Sequence, residues 1–466
     1  MRRGKRGLFA AALVAAQVTP IWHATPALAV VPPAVDESVQ PPSGTPGSVV
    51  TMQQRGECSA SGLIAGTDTR YPTASQAALD LPEAWQFARG EGQLVAILDT
   101  GVSPGPRLPN VEAGGDFVGS SDGLEDCDGR GTLVAGLVAG QPGDDGFSGV
   151  APAAKMLSIR VTSAKYSPKT PGGSDPALAR ATLDIDVLSR AIVHAADRGA
   201  QVIDISEATC LPAERVVDQA ELGAALRYAA VEKDAVIVAA AGDSGASGSS
   251  SGGTTCVTNP LTDLSNPNDS RNWVGVASVS VPSWWQPYVL SVASLTPSGQ
   301  PSKFTMAGPW VGIGASGEGI LSLSNGESGG LANGLPNQHG QLQQLSGTAY
   351  AAAYVSGVVA LIRSKYPTLP AAEVVRRITT TAHDGARAPS NMIGSGRVDP
   401  VAALTWKLPA SAAATAPVKR VPVPPPPVSE DTAPRNAALA GVAALVLLVG
   451  LSAAVVRIRR RRKGLT

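Results

Sequence analysis

Histidine is scarce in this chain, with four residues in 466: His23, His194, His339 and His383. Chemistry that needs an imidazole as base or ligand therefore has few candidates. An excess of charge is also missing, since 37 basic side chains face 37 acidic ones. The one dense basic cluster lies in the last ten residues, so no nucleic-acid partner is expected. Cysteine is nearly as rare, limited to Cys58, Cys127, Cys210 and Cys256. No CxxC spacing or histidine pairing accompanies them, so no metal and no cofactor are expected. All four lie in the part read below as exported. There an even count reads as two disulfides, with three connectivities open and metal ligation the unsupported alternative.

The ends read as targeting and anchoring segments. Residues 1–29 begin with Arg2, Arg3, Lys5 and Arg6, continue with GLFAAALVAAQV and close on small residues at Ala27 and Ala29. That is the layout of a cleaved signal peptide, with an N-terminal anchor as the alternative. Residues 436–456 hold an uncharged apolar run long enough for one membrane crossing, and the basic tail RIRRRRKGLT (457–466) favours the cytoplasmic side. The expectation is a single-pass type I protein of the cell membrane with its folded part outside the cytoplasm. Residues 408–435, rich in proline, read as a stiff extended spacer. Residues 30–84 are then an N-terminal extension, and 85–407 the main folded domain.

Within that domain short apolar runs alternate with helical patterns. LVAILD (94–99), MLSIRV (156–161), VIDIS (202–206) and AVIVAAA (235–241) read as buried strands. GTLVAGLVAG, ALARATLDIDVLSRAIVHAADRGA, QAELGAALRYAAVEKD and the late AAAYVSGVVALIRSKYP read as helices. Such alternation predicts an α/β fold with a mostly parallel central sheet between helical layers. Sites in these sheets lie beyond the C-terminal strand ends. The segments to watch are therefore Asp99, 206–210 and 242–244.

CDGRGTLVAG (127–136) poses the functional question. A glycine, one polar residue, Gly-Thr and small apolar residues place a single polar side chain at a helix start, and here that side chain is Arg130. Asp99-Thr100-Gly101, DGRGTLVAG, AAAGDSG and LSGTAYAAAYVSGVVAL together resemble, in order, the aspartate, histidine, oxyanion-asparagine and serine segments of subtilisin-like serine proteases. Within them the GGDFVGSSDGLEDCDG loop, the ISEATC turn, the extra cysteines, the extension and the anchored end resemble the mycosins of type VII secretion systems. The resemblance implies a three-layer subtilisin-like fold, disulfides Cys58–Cys127 and Cys210–Cys256, and components of a type VII secretion membrane complex as partners.

It also locates the departures. Asp99 is the retained triad acid, Arg130 stands at the histidine position, Ala349 at the serine position and Asp243 at the oxyanion asparagine position. A guanidinium stays protonated and cannot serve as general base, alanine carries no nucleophile, and a carboxylate opposes an oxyanion. In subtilisin, losing the serine or the histidine alone costs roughly a millionfold in turnover, about 8 kcal/mol of barrier. The leading expectation is an inactive protease fold with a structural or binding role. The rivals are an active endopeptidase on secreted substrates and a cleft that captures an extended peptide without cutting it. If the replacements compensate one another, Arg130 pairs with Asp99, with Asp243 or with both; otherwise it points into solvent. His339 is the remaining candidate base, Ser346 and Thr348 are expected to serve the turn and helix start, and Gly242-Asp243-Ser244-Gly245 matches a trypsin-type segment by chance.

Overall fold

In this computed structural model the described residues are 30–409, except 171, 173–174, 216, 246–255, 327–328 and 386–388, plus scattered helical residues between 447 and 456. The expected signal peptide (1–29), nearly all of the spacer (408–435), most of the expected span (436–456) and the basic tail (457–466) lie outside them. Among the described residues no helix is long and apolar enough to cross a membrane. Residues 1–408 and 409–466 separate into two units.

The main unit is built on seven strands: β1 Leu94–Asp99, β2 Val111–Asp116, β3 Lys155–Arg160, β4 Val202–Ile205, β5 Val236–Ala240, β6 Val289–Leu295 and β7 Val311–Ser316. Their spatial order is β7-β6-β5-β4-β1-β3-β2, and every neighbouring pair is parallel. Parallel strands buried on both faces need apolar residues at odd and even positions alike. Along β1, Val95 and Ile97 enter one core while Ala96 and Leu98 enter the other. β4 and β5 divide in the same way, Val202, Val236 and Val238 to the first and Ile203, Ile205 and Ile237 to the second.

The first core is closed by two helices with little polar surface, α1 Arg130–Ala139 and α4 Thr348–Lys365. Every residue of α1 is buried, which suits a helix apolar on all sides. Across the sheet the second core lies under α2 Pro176–Asp197 and α3 Ala220–Arg227. These amphipathic helices bury one face, as in α2 with Ile185, Leu188 and Ile192. The result is the expected three-layer α/β architecture.

Two boundaries differ from the sequence reading. The helix expected over 219–234 is α-helical only to Arg227, and Tyr228–Glu232 form a wider π turn. α4 begins at Thr348, earlier than its apolar run indicates, because its first turn is anchored by hydrogen bonds rather than by periodicity. Within the extension, Met52–Gln54 pairs antiparallel with Tyr166–Pro168.

Candidate functional site

The direction of winding reverses between β1 and β4: from β1 the chain builds β2 and β3 on one side, then returns to build β4 to β7 on the other. A crevice at such a reversal is where parallel sheets place their sites. Asp99 ends β1 at 0% exposure, and Ser206 and Glu207 follow β4. The N-terminus of α1 reaches into the same place. Gly131 makes this approach possible, since a Cβ there would stand 1.9 Å from the Gly101 carbonyl oxygen. Gly131 N donates to Thr100 Oγ1 at 2.9 Å, and Thr100 Oγ1 donates to Asp126 at 2.8 Å. Asp126 in turn accepts from Gly129 N and Thr132 N, both at 2.8 Å. These bonds satisfy amides that the first turn of α1 leaves open, so the start of α1 is fixed against β1.

Arg130 is the first residue of that turn and is 7% exposed. Its Nε donates to Asp99 Oδ1 at 2.8 Å and its Nη2 to Glu207 Oε2 at 2.6 Å. The guanidinium thus bridges the ends of β1 and β4. Burial alone would lower its pKa, but the charges of Asp99 and Glu207 outweigh burial and hold it well above its ordinary value. It is a fixed cation at any physiological pH. Asp99 Oδ1 also accepts from Thr100 N at 2.7 Å, while its buried Oδ2 has no hydrogen-bond partner among the described residues.

Asp243 lies on the far side of the crevice, where Oδ1 accepts from Thr348 N at 2.9 Å and Thr348 Oγ1 at 2.8 Å. It therefore anchors the first turn of α4. Burial raises its pKa to about 6 against those hydrogen bonds and the attraction of Arg130. Ala349, the next residue of α4, is buried. The space beside it, lined by Ser206, Gly242, Asp243 and Thr348 among others, measures about 10 Å³, roughly what one water requires. Behind the bridge Asp204 is fully buried and accepts from Ser356 Oγ at 2.6 Å and Ser206 Oγ at 2.8 Å. Burial raises it to about 7.

Of the four residues singled out in the sequence, Asp243 and Ala349 line that small space, while Asp99 and Arg130 form the bridge, with Arg130 close enough to act electrostatically on Asp243. Of the partners anticipated for Arg130, Asp99 is found, and Asp243 spends its Oδ1 on Thr348. Glu207 is the carboxylate that the sequence reading left unnamed. Its only advance signal was its place in the segment just after a buried strand. The described histidines lie elsewhere: His194 on α2 edge-on to Phe117, His383 paired with Asp399 at 2.9 Å, and His339 exposed at a hairpin tip. None of these three is a hydrogen-bond partner of Asp99. Thr348 works at the helix start as expected. Cys58–Cys127 and Cys210–Cys256 are both formed. Among the described residues no cluster of three potential metal ligands occurs.

Comparison with known proteins decides the family. Residues 90–396 match the Peptidase_S8 model, the subtilase family. Mycosin-3 of Mycobacterium tuberculosis is 67% identical over 454 residues, which are 97% of this chain and 98% of that protein. The chain belongs to the subtilase family, among its mycosins.

Solved mycosins have the same fold. The MycP3 protease from the type VII (ESX-3) secretion system superposes with a TM-score of 0.78 at 60% identity, covering 81% of this chain and 100% of that one. A chain of the intact ESX-5 inner membrane complex gives 0.79 at 42% identity, covering 91% and 98%. The subtilase match takes in Asp99, Arg130, Asp243 and Ala349 in this mycosin, so the crevice described above lies within the family's own domain.

Proposed function

We propose that this mycosin is a pseudoprotease: a membrane-anchored member of a type VII secretion complex that keeps the protease fold as a structural or binding part and does not cleave peptides. The observation that carries this is the buried bridge Asp99–Arg130–Glu207, with Ala349 at the head of α4. In an active enzyme of this kind the carboxylate orients an imidazole, and that imidazole takes a proton from a serine hydroxyl. Here the carboxylate is engaged by a permanent cation that has no proton to exchange at neutral pH, and the neighbouring α4 position carries a methyl group. On this reading Arg130, Ala349 and Asp243 stand at the histidine, serine and oxyanion positions.

The likeness to a chain of the ESX-5 inner membrane complex supports a place in an equivalent assembly. The segment assignments are those read from the sequence: signal peptide at 1–29, extension at 30–84, peptidase-like domain at 85–407, spacer at 408–435, span at 436–456 and cytoplasmic tail at 457–466. The folded domain then stands outside the cytoplasm, where disulfides persist.

The test is a deletion strain with affinity purification of the tagged full chain from its own membranes. Co-purification of other membrane components of the secretion machinery, with unchanged termini on every secreted protein in the deletion strain, supports the reading. Recovery of the chain alone, or secreted proteins that become uncut on deletion, defeats it.

A further inference from the structure

An open cavity of about 730 Å³, lined by none of the residues around Ala349, lies where the extension (48–52) crosses the loop 118–121. Arg160, the last residue of β3, forms part of its wall at 3% exposure. Its guanidinium donates from Nη2 to Asp116, and its Nε is buried without a hydrogen-bond partner among the described residues. A guanidinium carries five N–H donors in a planar fork, so this one retains capacity for an acceptor.

Asp116 does not use up that capacity. Its Oδ1 accepts from Val118 N at 2.8 Å and Gly119 N at 2.9 Å, and its Oδ2 from Ser121 N at 3.0 Å and Ser121 Oγ at 3.1 Å. Asp116 thus shares its charge between Arg160, its strongest partner, and its own loop. Tyr166 lies over the guanidinium, its ring centre 5.0 Å from Cζ, and takes one of its donors in a hydrogen bond. The opposite wall offers Val49 and Val50, each 40% exposed, from a segment that leads into the Met52–Gln54 strand pair. Glu125 is exposed at the rim and repels a densely acidic ligand.

We propose that this cavity is a docking site for an extended peptide of a partner protein, which places one acidic side chain on Arg160 and neutral or basic neighbours past Glu125. Carboxylate and guanidinium match in geometry and charge, the exposed valines suit the flanking apolar side chains, and the polar walls leave little for a purely apolar ligand. The site does not depend on whether the crevice is catalytic.

Fluorescence anisotropy on the full chain in detergent tests it with two labelled, blocked hexapeptides of alternating alanine and valine, one with a central glutamate and one with glutamine. The glutamate peptide is expected to bind about tenfold tighter, the scale of a charge-assisted contact. Ser120→Trp fills the mouth from the loop without touching the Arg160–Asp116 pair and should abolish that preference while the melting temperature holds. Glu125→Gln should tighten glutamate-peptide binding roughly two- to fivefold. Equal affinity for both peptides, or a preference that survives Ser120→Trp, overturns the proposal. Displacement by free acetate at the same concentration as unlabelled peptide would mean a small-anion site and overturns the peptide assignment.

Discussion

Arg130 Nε stands 2.8 Å from Asp99 Oδ1, with the carboxylate side chain wholly buried and the guanidinium nearly so. The pair closes the end of β1 with a fixed charge, and Glu207 completes it at 2.6 Å. A cation shared by two buried carboxylates is difficult to remove from one side alone.

Arg130→Ala strands Asp99 and Glu207 as buried charges without their partner. Breaking a buried ion pair in this way costs about 3–5 kcal/mol, and urea unfolding should report a loss on that scale. A loss below about 1 kcal/mol, the range of exposed pairs, would show that the bridge is solvated and that the crevice is not locked by it.

The buried acids give a pH dependence of defined sign. Burial raises Asp243 to about 6 and Asp204 to about 7 in the folded protein, from 3.8. The folded state then binds their protons more tightly than the unfolded state does. The stabilisation from this uptake is complete below pH ~4 and is lost as pH rises through 6 to 7. Asp243→Asn keeps an acceptor for Thr348 and removes the ionisation. It should be near neutral at pH 4 and stabilising at pH 8 by on the order of 3 kcal/mol, with about half of that already present at pH 5. An equal effect at both pH values would contradict the assignment.

The Cys58–Cys127 bond joins the extension to the residue three before Arg130 across 69 positions. Replacing both cysteines by serine should cost roughly 2–5 kcal/mol and expose the segment around Met52–Gln54 to limited proteolysis, read by mass spectrometry of the first fragments. First cuts that fall elsewhere would show that the strand pair with Tyr166–Pro168, and not the disulfide, holds the extension.

Much of this was legible before the structure. Continuous apolar runs such as LVAILD and AVIVAAA read as strands covered on both faces, and strand ends in such sheets point to the crevice, so Asp99 and the segments 206–210 and 242–244 could be marked from pattern; Asp243 itself was named through likeness to the family's motifs. Arg130 and Ala349 came from likeness to the family's motifs, as did the disulfide pairing. Glu207 could not be named. Which residue after β4 faces the guanidinium depends on how the chain turns over the strand end, and no periodicity records that. Thr348 was expected at the helix start, but its partner there was hidden for a related reason, because Asp243 lies more than a hundred residues away in sequence.

The most direct test of the central claim is labelling of the purified chain with a fluorophosphonate, which reacts with an activated serine, beside a variant carrying Arg130→His, Asp243→Asn and Ala349→Ser. The account predicts no labelling of the native chain and labelling of the variant on the hydroxyl introduced by Ala349→Ser. Labelling of the native chain at any serine, suppressed by Asp99→Ala, would contradict it.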